Sequence, residues 1–239
     1  MNFLDKYNER KSELTIFLNI MKTLYEKEMC RTNGKTEFDI FFGSSSTEEI
    51  SYTQLSNILK SNACLMIYNL IEFTVVQLFT EIYDLIQQNQ LGYKAVNDSI
   101  KKIWIKTQLK SAKDPSIKLS TLNNKTEQII SYVLKNTTIT LNTKDTLNVG
   151  NMDLTVISEI FEEHNIKFSL SPEIHRPDKF STIKLHRNNL AHGSSLFSEE
   201  LADSTINDIE KDYHLTVKIL DSLILQVSNY INNESFKIN

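Results

Sequence analysis

The sequence predicts an all-α protein, a helical bundle built around one long central helix. Only five glycines and three prolines occur in 239 residues, so few positions interrupt regular structure. Hydrophobic residues make up 40% of the chain, which is enough for a packed core. They recur mostly at three- and four-residue spacing, the period of one helix face. We expect one domain over residues 1–239, with a less regular insertion at about 114–177.

The first half of the chain predicts two long helices. The first covers about residues 3–30, where apolar side chains form a single stripe at helical spacing. A polar loop separates it from the second helix, which covers about 48–88 and is expected to be capped by Ser46 or Thr47. The middle of this second helix is apolar on nearly all sides, which is typical of the central helix of a bundle.

No segment of the sequence predicts export or a membrane span. The most apolar zone, residues 63–79, is interrupted by Asn69, Glu72 and Gln77, whereas a span requires roughly 20 mostly apolar residues. The first residues of the chain lack the apolar core of a signal peptide. We therefore expect a soluble, cytoplasmic protein without a membrane partner.

The middle of the chain is the least regular part. Residues 95–113 predict a third helix that carries the densest basic cluster of the chain, Lys101, Lys102, Lys106, Lys110 and Lys113. This cluster is either a solvated helix face or a strip that guides RNA. Residues 126–135 predict a short helix. Residues 136–151 are polar and β-branched, which indicates either a small hairpin or an ordered loop.

The last third of the chain predicts three helices. Asp153 is placed to cap the first of them, ahead of an apolar run with helical spacing. Asp178 is expected to cap the second, which runs to His192 and ends at Gly193 in the left-handed conformation. The third covers about residues 198–232, where apolar residues again recur at helical spacing.

Charge and cysteine usage narrow the functional classes. The formal net charge is −4, whereas a protein that coats nucleic acid without specificity is normally basic. Any RNA contact should therefore be local, or made in the groove of a dimer. Cys30 and Cys64 form no CxxC pair, and the histidines lack metal-ligand spacing. We expect no metal and no cofactor.

The stretch that carries chemistry is residues 187–192, Arg-Asn-Asn-Leu-Ala-His, followed by Gly193. Cleaving RNA internally requires the 2′-hydroxyl to lose a proton, the 5′-oxygen to gain one, and the phosphorus centre to be stabilised. Histidine is suited to both proton transfers near neutral pH. Arginine matches two phosphate oxygens and stays charged. Asparagine orients either group without titrating. The stretch thus indicates RNA cleavage without a metal.

Helix geometry limits how Arg187 and His192 can cooperate. Five residues along a regular helix rotate by roughly 140° and rise about 7.5 Å, so the two side chains would point to different faces. A helix that ends at His192 would let the imidazole swing over the terminus while Arg187 reaches along the last turn. A two-fold dimer would instead bring two copies of the motif into one composite cleft. The alternative to a catalytic role is a purely structural one, in which both side chains hydrogen-bond to the terminal carbonyls of the helix.

With this motif the sequence resembles the HEPN superfamily (higher eukaryotes and prokaryotes nucleotide-binding). Many members carry Arg-x4-6-His, often with a polar residue after the arginine; here Arg187 and His192 match with four residues between them, and Asn188 fills the polar position. The segments 190–193 and 197–200 look like a bacterial branch linked with toxin–antitoxin and anti-phage loci. The resemblance implies a helical bundle, dimerisation near the motif, and cleavage that leaves a 2′,3′-cyclic phosphate.

The same branch carries a polar patch in the long apolar helix, and residues 68–72, Tyr-Asn-Leu-Ile-Glu, look like that feature. Glu72 is either an anchor for Arg187 or His192, or a solvent-facing position on an incompletely buried helix. Asn69, three residues earlier, would share its face. For two neighbours of the motif we expect simpler roles. His186 is expected to be a surface histidine, and the acidic pair at 199–200 is expected to be solvated.

The resemblance implies a metal-independent endoribonuclease that acts on RNA. His192 would be the general acid or base, Arg187 would stabilise the phosphate, and Asn188 would position them, with Glu72 and Asn69 in support. We expect a homodimer joined through the motif face, and an antitoxin or defence-system protein as a candidate partner. The alternatives are a catalytically inactive HEPN-type RNA-binding or regulatory subunit, and a helical interaction module without a nucleic-acid role.

Overall fold

The computed structural model describes residues 3–32, 34–42, 51–110 and 118–238. In these residues it is all-α apart from two strands of two residues each, which confirms the predicted fold class. In chain order the elements are α1 (Phe3–Met29), β1 (Arg31–Thr32), β2 (Lys35–Thr36), α2 (Glu37–Phe42), α3 (Tyr52–Gln88), α4 (Asp98–Gln108), α5 (Leu119–Lys135), α6 (Thr143–Thr146), α7 (Leu154–Glu163), α8 (Pro177–Ala191) and α9 (Ile206–Asn232).

The contacts divide the chain into two compact units. Unit 1 comprises Met1–Phe73 and Glu173–Ile219, and unit 2 comprises Thr74–Pro172 and Leu220–Asn239. The long helices α3 and α9 therefore contribute residues to both units. The expected single domain over residues 1–239 stays a prediction.

The central helix α3 is long and apolar enough to cross a membrane, judged by length and composition alone. In its most apolar 18-residue window, 56% of the residues are buried inside the protein. This burial is typical of the core helix of a soluble protein and agrees with the sequence prediction. The cytoplasmic location stays a prediction. The caps expected at Ser46 or Thr47 lie outside the described residues.

In unit 1, the segment after α1 corrects the prediction of a polar loop. Strands β1 and β2 pair antiparallel, with Arg31 opposite Thr36, and Gly34 adopts a φ of +81° between them. The Thr36 hydroxyl accepts from the Asp39 N–H at 3.0 Å, while the Thr36 N–H donates to the Asp39 carboxylate at 3.2 Å. This reciprocal cap starts α2, which buries Phe38 completely.

The start of α8 also differs from the prediction. Asp178 does not cap the helix, which begins one residue earlier, at Pro177. Proline suits the first helical position because its fixed φ is helical and its missing N–H would have no helical partner there. Asp178 lies in the first turn, where its carboxylate accepts from the Arg176 guanidinium at 2.8 Å and 3.1 Å.

The last helix starts about eight residues later than expected. The segment 198–203 forms turns, and α9 begins at Ile206. Thr205 and Asp208 form a reciprocal cap: the Asp208 N–H donates to the Thr205 hydroxyl at 3.2 Å, and the Thr205 N–H donates to the Asp208 carboxylate at 3.1 Å. This capping box fixes the helix start, although apolar residues at helical spacing occur before it.

In unit 2, the region of residues 136–151 takes the ordered-loop alternative rather than the hairpin. Its residues contain no paired strands; Thr138 forms a single bridge with Gly92. The loop includes the short helix α6, whose Asn142 cap accepts from the Lys144 N–H at 2.9 Å. Asp153 caps α7 as predicted, accepting from the Val156 N–H at 2.9 Å. Helix α5 begins seven residues before the predicted short helix.

Three lysines of the basic cluster on and just after α4 form ion pairs with carboxylates. The ion pairs are Lys101 with Asp98 at 2.9 Å, Lys106 with Glu163 at 2.6 Å and Lys110 with Asp145 at 3.4 Å. Lys113 lies outside the described residues. Because the paired lysines already face carboxylates of their own unit, the ion pairs favour a solvated face over a strip that guides RNA.

The core of unit 2 contains the fully buried His164. Its Nδ1 lies 2.7 Å from the Ile160 carbonyl oxygen, and its Nε2 lies 2.7 Å from the Tyr83 hydroxyl. A carbonyl oxygen only accepts, so the neutral ring carries its proton on Nδ1 and presents Nε2 as an acceptor. Burial lowers the pKa of His164 from 6.5 to about 4, which keeps the imidazole neutral at physiological pH.

Candidate functional site

The motif lies where α8 ends, and its backbone follows a Schellman motif as the sequence predicts. His192 is the C-cap, and Gly193 adopts a φ of +68°. The Gly193 N–H donates to the Leu190 carbonyl at 3.3 Å, and the Ser194 N–H donates to the Asn189 carbonyl at 2.9 Å. A side chain at position 193 would be strained because the left-handed region penalises a Cβ. The turn holds the segment after the motif in one direction.

Arg187 lies against the part of α3 that belongs to unit 1. Its guanidinium carbon lies 4.8 Å from the centre of the Tyr68 ring, a cation–π distance. Its Nη1 donates to the Asn188 side-chain oxygen at 2.9 Å, and its Nη2 lies 3.8 Å from a Glu72 carboxylate oxygen. The Arg187 side chain remains 25% exposed, so a ligand can reach it. Arg187, Asn188 and Glu72 are thus brought together.

The two supporting residues on α3 are placed differently. Tyr68 and Glu72 are one helical turn apart and share the face that meets Arg187. Asn69 is exposed and makes no hydrogen bond within the described residues. The expected common face of Asn69 and Glu72 therefore does not place Asn69 at the guanidinium.

His192 is exposed at the end of α8. Its backbone is still helical, with φ of −93° and ψ of 0°. Among the described residues, none forms a hydrogen bond with the imidazole, so the ring is not tied to Arg187 or Asn188. The helix end gives His192 access to a ligand, and its convergence with Arg187 over the terminus stays a prediction.

The sequence prediction missed a polar cluster next to the motif. The Glu200 side chain is only 7% exposed. Its Oε1 lies 2.7 Å from His186 Nδ1 and accepts from the Asn189 amide at 2.9 Å. Burial raises the pKa of Glu200, but hydrogen bonds from His186, Asn189 and Ser195 outweigh this effect and lower it. The expectations of a solvated Glu200 and a simple surface His186 are therefore wrong.

Part of this cluster has a sequence signal. His186 and Asn189 are three residues apart on α8 and so share a helix face. Their carboxylate partner follows more than ten residues later, after the chain has reversed at Gly193. Through these hydrogen bonds, the cluster holds the segment after the motif against α8. It thereby also fixes the position of the helix end.

Among the described residues, no group of three or more histidine, cysteine, aspartate or glutamate side chains is placed to hold a metal ion. Cys64 is buried, and burial raises the pKa of its thiol to about 12, so it stays a protonated small hydrophobe.

Comparison with known families shows which family the chain is similar to. The family model described as MAE_28990-like HEPN matches residues 2–236, nearly the whole chain. Neither the curated proteins nor the solved structures gave a match. The family assignment therefore rests on the whole length of the chain, including both compact units and the less regular insertion.

Proposed function

The chain belongs to the MAE_28990-like HEPN family, and we propose that it is a metal-independent endoribonuclease whose motif is Arg187, Asn188 and His192. The observation that carries this proposal is the position of Arg187. A permanently charged guanidinium is held by an aromatic ring and a side-chain amide, and it remains reachable from solvent. HEPN domains frequently act on RNA, and the geometry fits the binding of a phosphate.

In this proposal Arg187 stabilises the phosphorus centre as negative charge develops on its oxygens. Its planar fork of donors matches two phosphate oxygens. The contact with Tyr68 fixes the side chain before the substrate arrives, which reduces the reorganisation needed in the transition state. Asn188 supports this by accepting from Nη1.

His192 supplies the proton transfer. Its imidazole takes the proton from the 2′-hydroxyl, and the resulting oxygen attacks the neighbouring phosphorus. The bond to the 5′-oxygen breaks, and that oxygen gains a proton from an imidazolium, either the one that took the 2′-hydroxyl proton or that of His192 in a second copy. This leaves a 2′,3′-cyclic phosphate and a 5′-hydroxyl. The exposed ring at the end of α8, without a hydrogen-bond partner among the described residues, supports this role.

We further propose that two copies of the chain join through the motif face. One imidazole could then act as the base and the other as the acid, because the motif of a single chain offers one His192. Exposed apolar side chains lie near the motif on both sides: Leu185 is 56% exposed and Leu196 is 62% exposed. Apolar surface at such positions favours self-association. Light scattering on wild type and a Leu185→Glu, Leu196→Glu double variant tests this step: a dimer that becomes a monomer is expected.

The test of catalysis compares the two ends of α8. Labelled single-stranded RNA is incubated in EDTA with wild type, Arg187→Ala and His192→Ala. The controls are Arg176→Ala and His175→Ala, at an exposed arginine and an exposed histidine just before the same helix. We expect losses of about 100-fold or more in the motif variants and less than about twofold in the controls. Mass spectrometry should find the cyclic phosphate.

Cleavage that persists in both motif variants, or that requires Mg²⁺, would contradict the assigned roles. Binding of RNA without cleavage by any form would support the second candidate, an inactive RNA-binding or regulatory subunit. One observation favours that candidate: Glu72 places a carboxylate 3.8 Å from the guanidinium, where it competes with a phosphate. An antitoxin or defence-system partner is part of either proposal, and co-purification from the native host tests it.

A further inference from the structure

A cavity with polar and apolar lining lies in unit 1, away from the residues of the motif. It has a volume of about 370 Å³, within the range of small-molecule sites. The end of α1, the start of α3 and the segment before α9 form its walls. We call it the Lys60 cavity; its lining includes Lys22, Tyr25, Tyr52 and Lys60.

Lys60 is the unusual member of this wall, because its side chain is buried while, among the described residues, its ammonium forms no ion pair. The residue is only 5% exposed. Its ammonium donates to the Ser204 carbonyl at 2.7 Å and to the Ala202 carbonyl at 3.4 Å. In the part of the chain that the structure describes, no carboxylate lies within ion-pair distance of it; Asp203 attracts it only from farther away.

Two carbonyl oxygens satisfy two of the three ammonium hydrogens but do not neutralise the charge. A buried cation without a counter-ion is unfavourable, and burial accordingly lowers the pKa of Lys60. The other lysine of the cavity differs, since Lys22 pairs with Glu210 at 2.5 Å. An anion in the cavity would therefore gain most from Lys60, because among the described residues its ammonium hydrogen-bonds to two carbonyl oxygens and forms no ion pair.

The cavity also offers flat aromatic surface. Tyr25 is 46% exposed and Tyr52 is half-buried, and both line the same space. Tyrosine rings favour offset or edge-on contact with another flat ring. The cavity thus combines a buried cation that forms no ion pair among the described residues with two aromatic walls, which fits neither an apolar ligand nor an inorganic anion alone.

We propose that the Lys60 cavity binds a small ligand in which a phosphate or carboxylate group is attached to a flat ring, with the oxyanion on Lys60 and the ring against Tyr25 and Tyr52. This site is independent of RNA cleavage, because no residue of the motif lines it. Titration calorimetry with phenyl phosphate, benzoate and inorganic phosphate tests it. Phenyl phosphate or benzoate should bind about tenfold tighter than inorganic phosphate. Whichever of the two binds tighter shows whether the cavity prefers a phosphate or a carboxylate group.

Variants assign the two parts of the site. Lys60→Met removes the charge at similar length and should weaken binding about tenfold or more, as expected for a charged hydrogen bond. Tyr25→Ala should weaken the ring-bearing probe about three- to tenfold and leave inorganic phosphate unchanged. Lys102→Met, at an exposed lysine without an ion pair among the described residues, is the matched control and should bind like wild type.

The proposal is overturned if neither ring-bearing probe binds wild type at millimolar concentration, or if Lys60→Met binds as well as wild type. Thermal unfolding checks that Lys60→Met is folded. Should it fail to fold, Tyr25→Ala decides, because that exposed side chain can be removed without opening the core. Equal affinity of Tyr25→Ala and wild type for the ring-bearing probe would then refute the site.

Discussion

Two histidines of the molecule, His192 in unit 1 and His164 in unit 2, have opposite surroundings. His164 is fully buried, and both its ring nitrogens lie 2.7 Å from an oxygen atom. His192 is exposed at a helix end and has no hydrogen-bond partner among the described residues. Burial lowers the pKa of His164 to about 4, so this ring is removed from acid–base chemistry at neutral pH.

The difference shows that the surroundings of an imidazole, and not the residue type, decide its use. A ring whose nitrogens are both engaged in a dry core contributes packing and hydrogen bonds to stability. A ring at an exposed helix end contributes nothing measurable to the core but can exchange protons with a ligand. The two regions should therefore respond to the same substitution in different measurements.

The largest expected effect comes from the same substitution at both positions. His192→Gln should reduce RNA cleavage about 1,000-fold, or about 4 kcal/mol of transition-state stabilisation, and leave the free energy of unfolding within about 0.5 kcal/mol. His164→Gln should lower that free energy by about 2–3 kcal/mol while folded protein still cleaves at the wild-type rate. Cleavage assays and urea unfolding check this. If His192→Gln cleaved RNA at the wild-type rate, the proposed difference in role between His192 and His164 would be contradicted.

The second effect is the pH dependence of stability. Because the folded protein holds His164 neutral, the unfolded chain binds the extra proton, and acid favours unfolding. The stabilisation is fully present above pH 6.5 and is lost as the pH falls from 6.5 towards about 4. The loss amounts to about 3 kcal/mol, at roughly 1.4 kcal/mol per pH unit. Urea unfolding of wild type should show this slope, and His164→Gln should flatten it. If the free energy of unfolding of wild type and of His164→Gln changed with pH in parallel, a buried neutral ring at His164 would be contradicted.

A third, smaller effect concerns the cluster that holds the motif end. Glu200→Gln removes a buried carboxylate that binds His186 and Asn189, and should cost about 1–2 kcal/mol of stability. We also expect cleavage to fall about tenfold, because the segment after Gly193 is tied to α8 less firmly. Glu199→Gln, at the exposed neighbour, is the control and should match wild type in both measurements. Equal behaviour of the two variants would show that the cluster is dispensable.

Local patterns predicted the helices and several of their ends. Asp153 and Gly193 lie within a few residues of the backbone groups that they satisfy, so their roles can be inferred from neighbouring sequence. The start of α9 had such a signal in Thr205 and Asp208, but the apolar spacing before it favoured a longer helix. The burial of Glu200 could not be predicted, because it depends on how the chain reverses after α8.

The candidate site shows the same division. The spacing of Arg187 and His192 can be recognised in the sequence, but how the two side chains cooperate stays a prediction. The contact of Arg187 with Tyr68 joins residues 119 positions apart, and single-sequence patterns carry no information on such a pairing. A polar patch on α3 was expected, yet only Glu72 of its two proposed members reaches the guanidinium.

The smallest predicted effect tests what Glu72 does for Arg187. Their 3.8 Å separation is too long for a hydrogen bond, and both side chains are about a quarter exposed, so the attraction between them is weak. Glu72→Gln should therefore change the free energy of unfolding by less than about 1 kcal/mol. Because a carboxylate beside the guanidinium repels phosphate, we expect KM for RNA to fall about two- to fivefold with kcat unchanged. Asn69→Asp, which adds a charge on an exposed neighbouring position, should raise KM slightly or not at all. A tenfold loss of kcat in Glu72→Gln would instead show that this carboxylate positions Arg187.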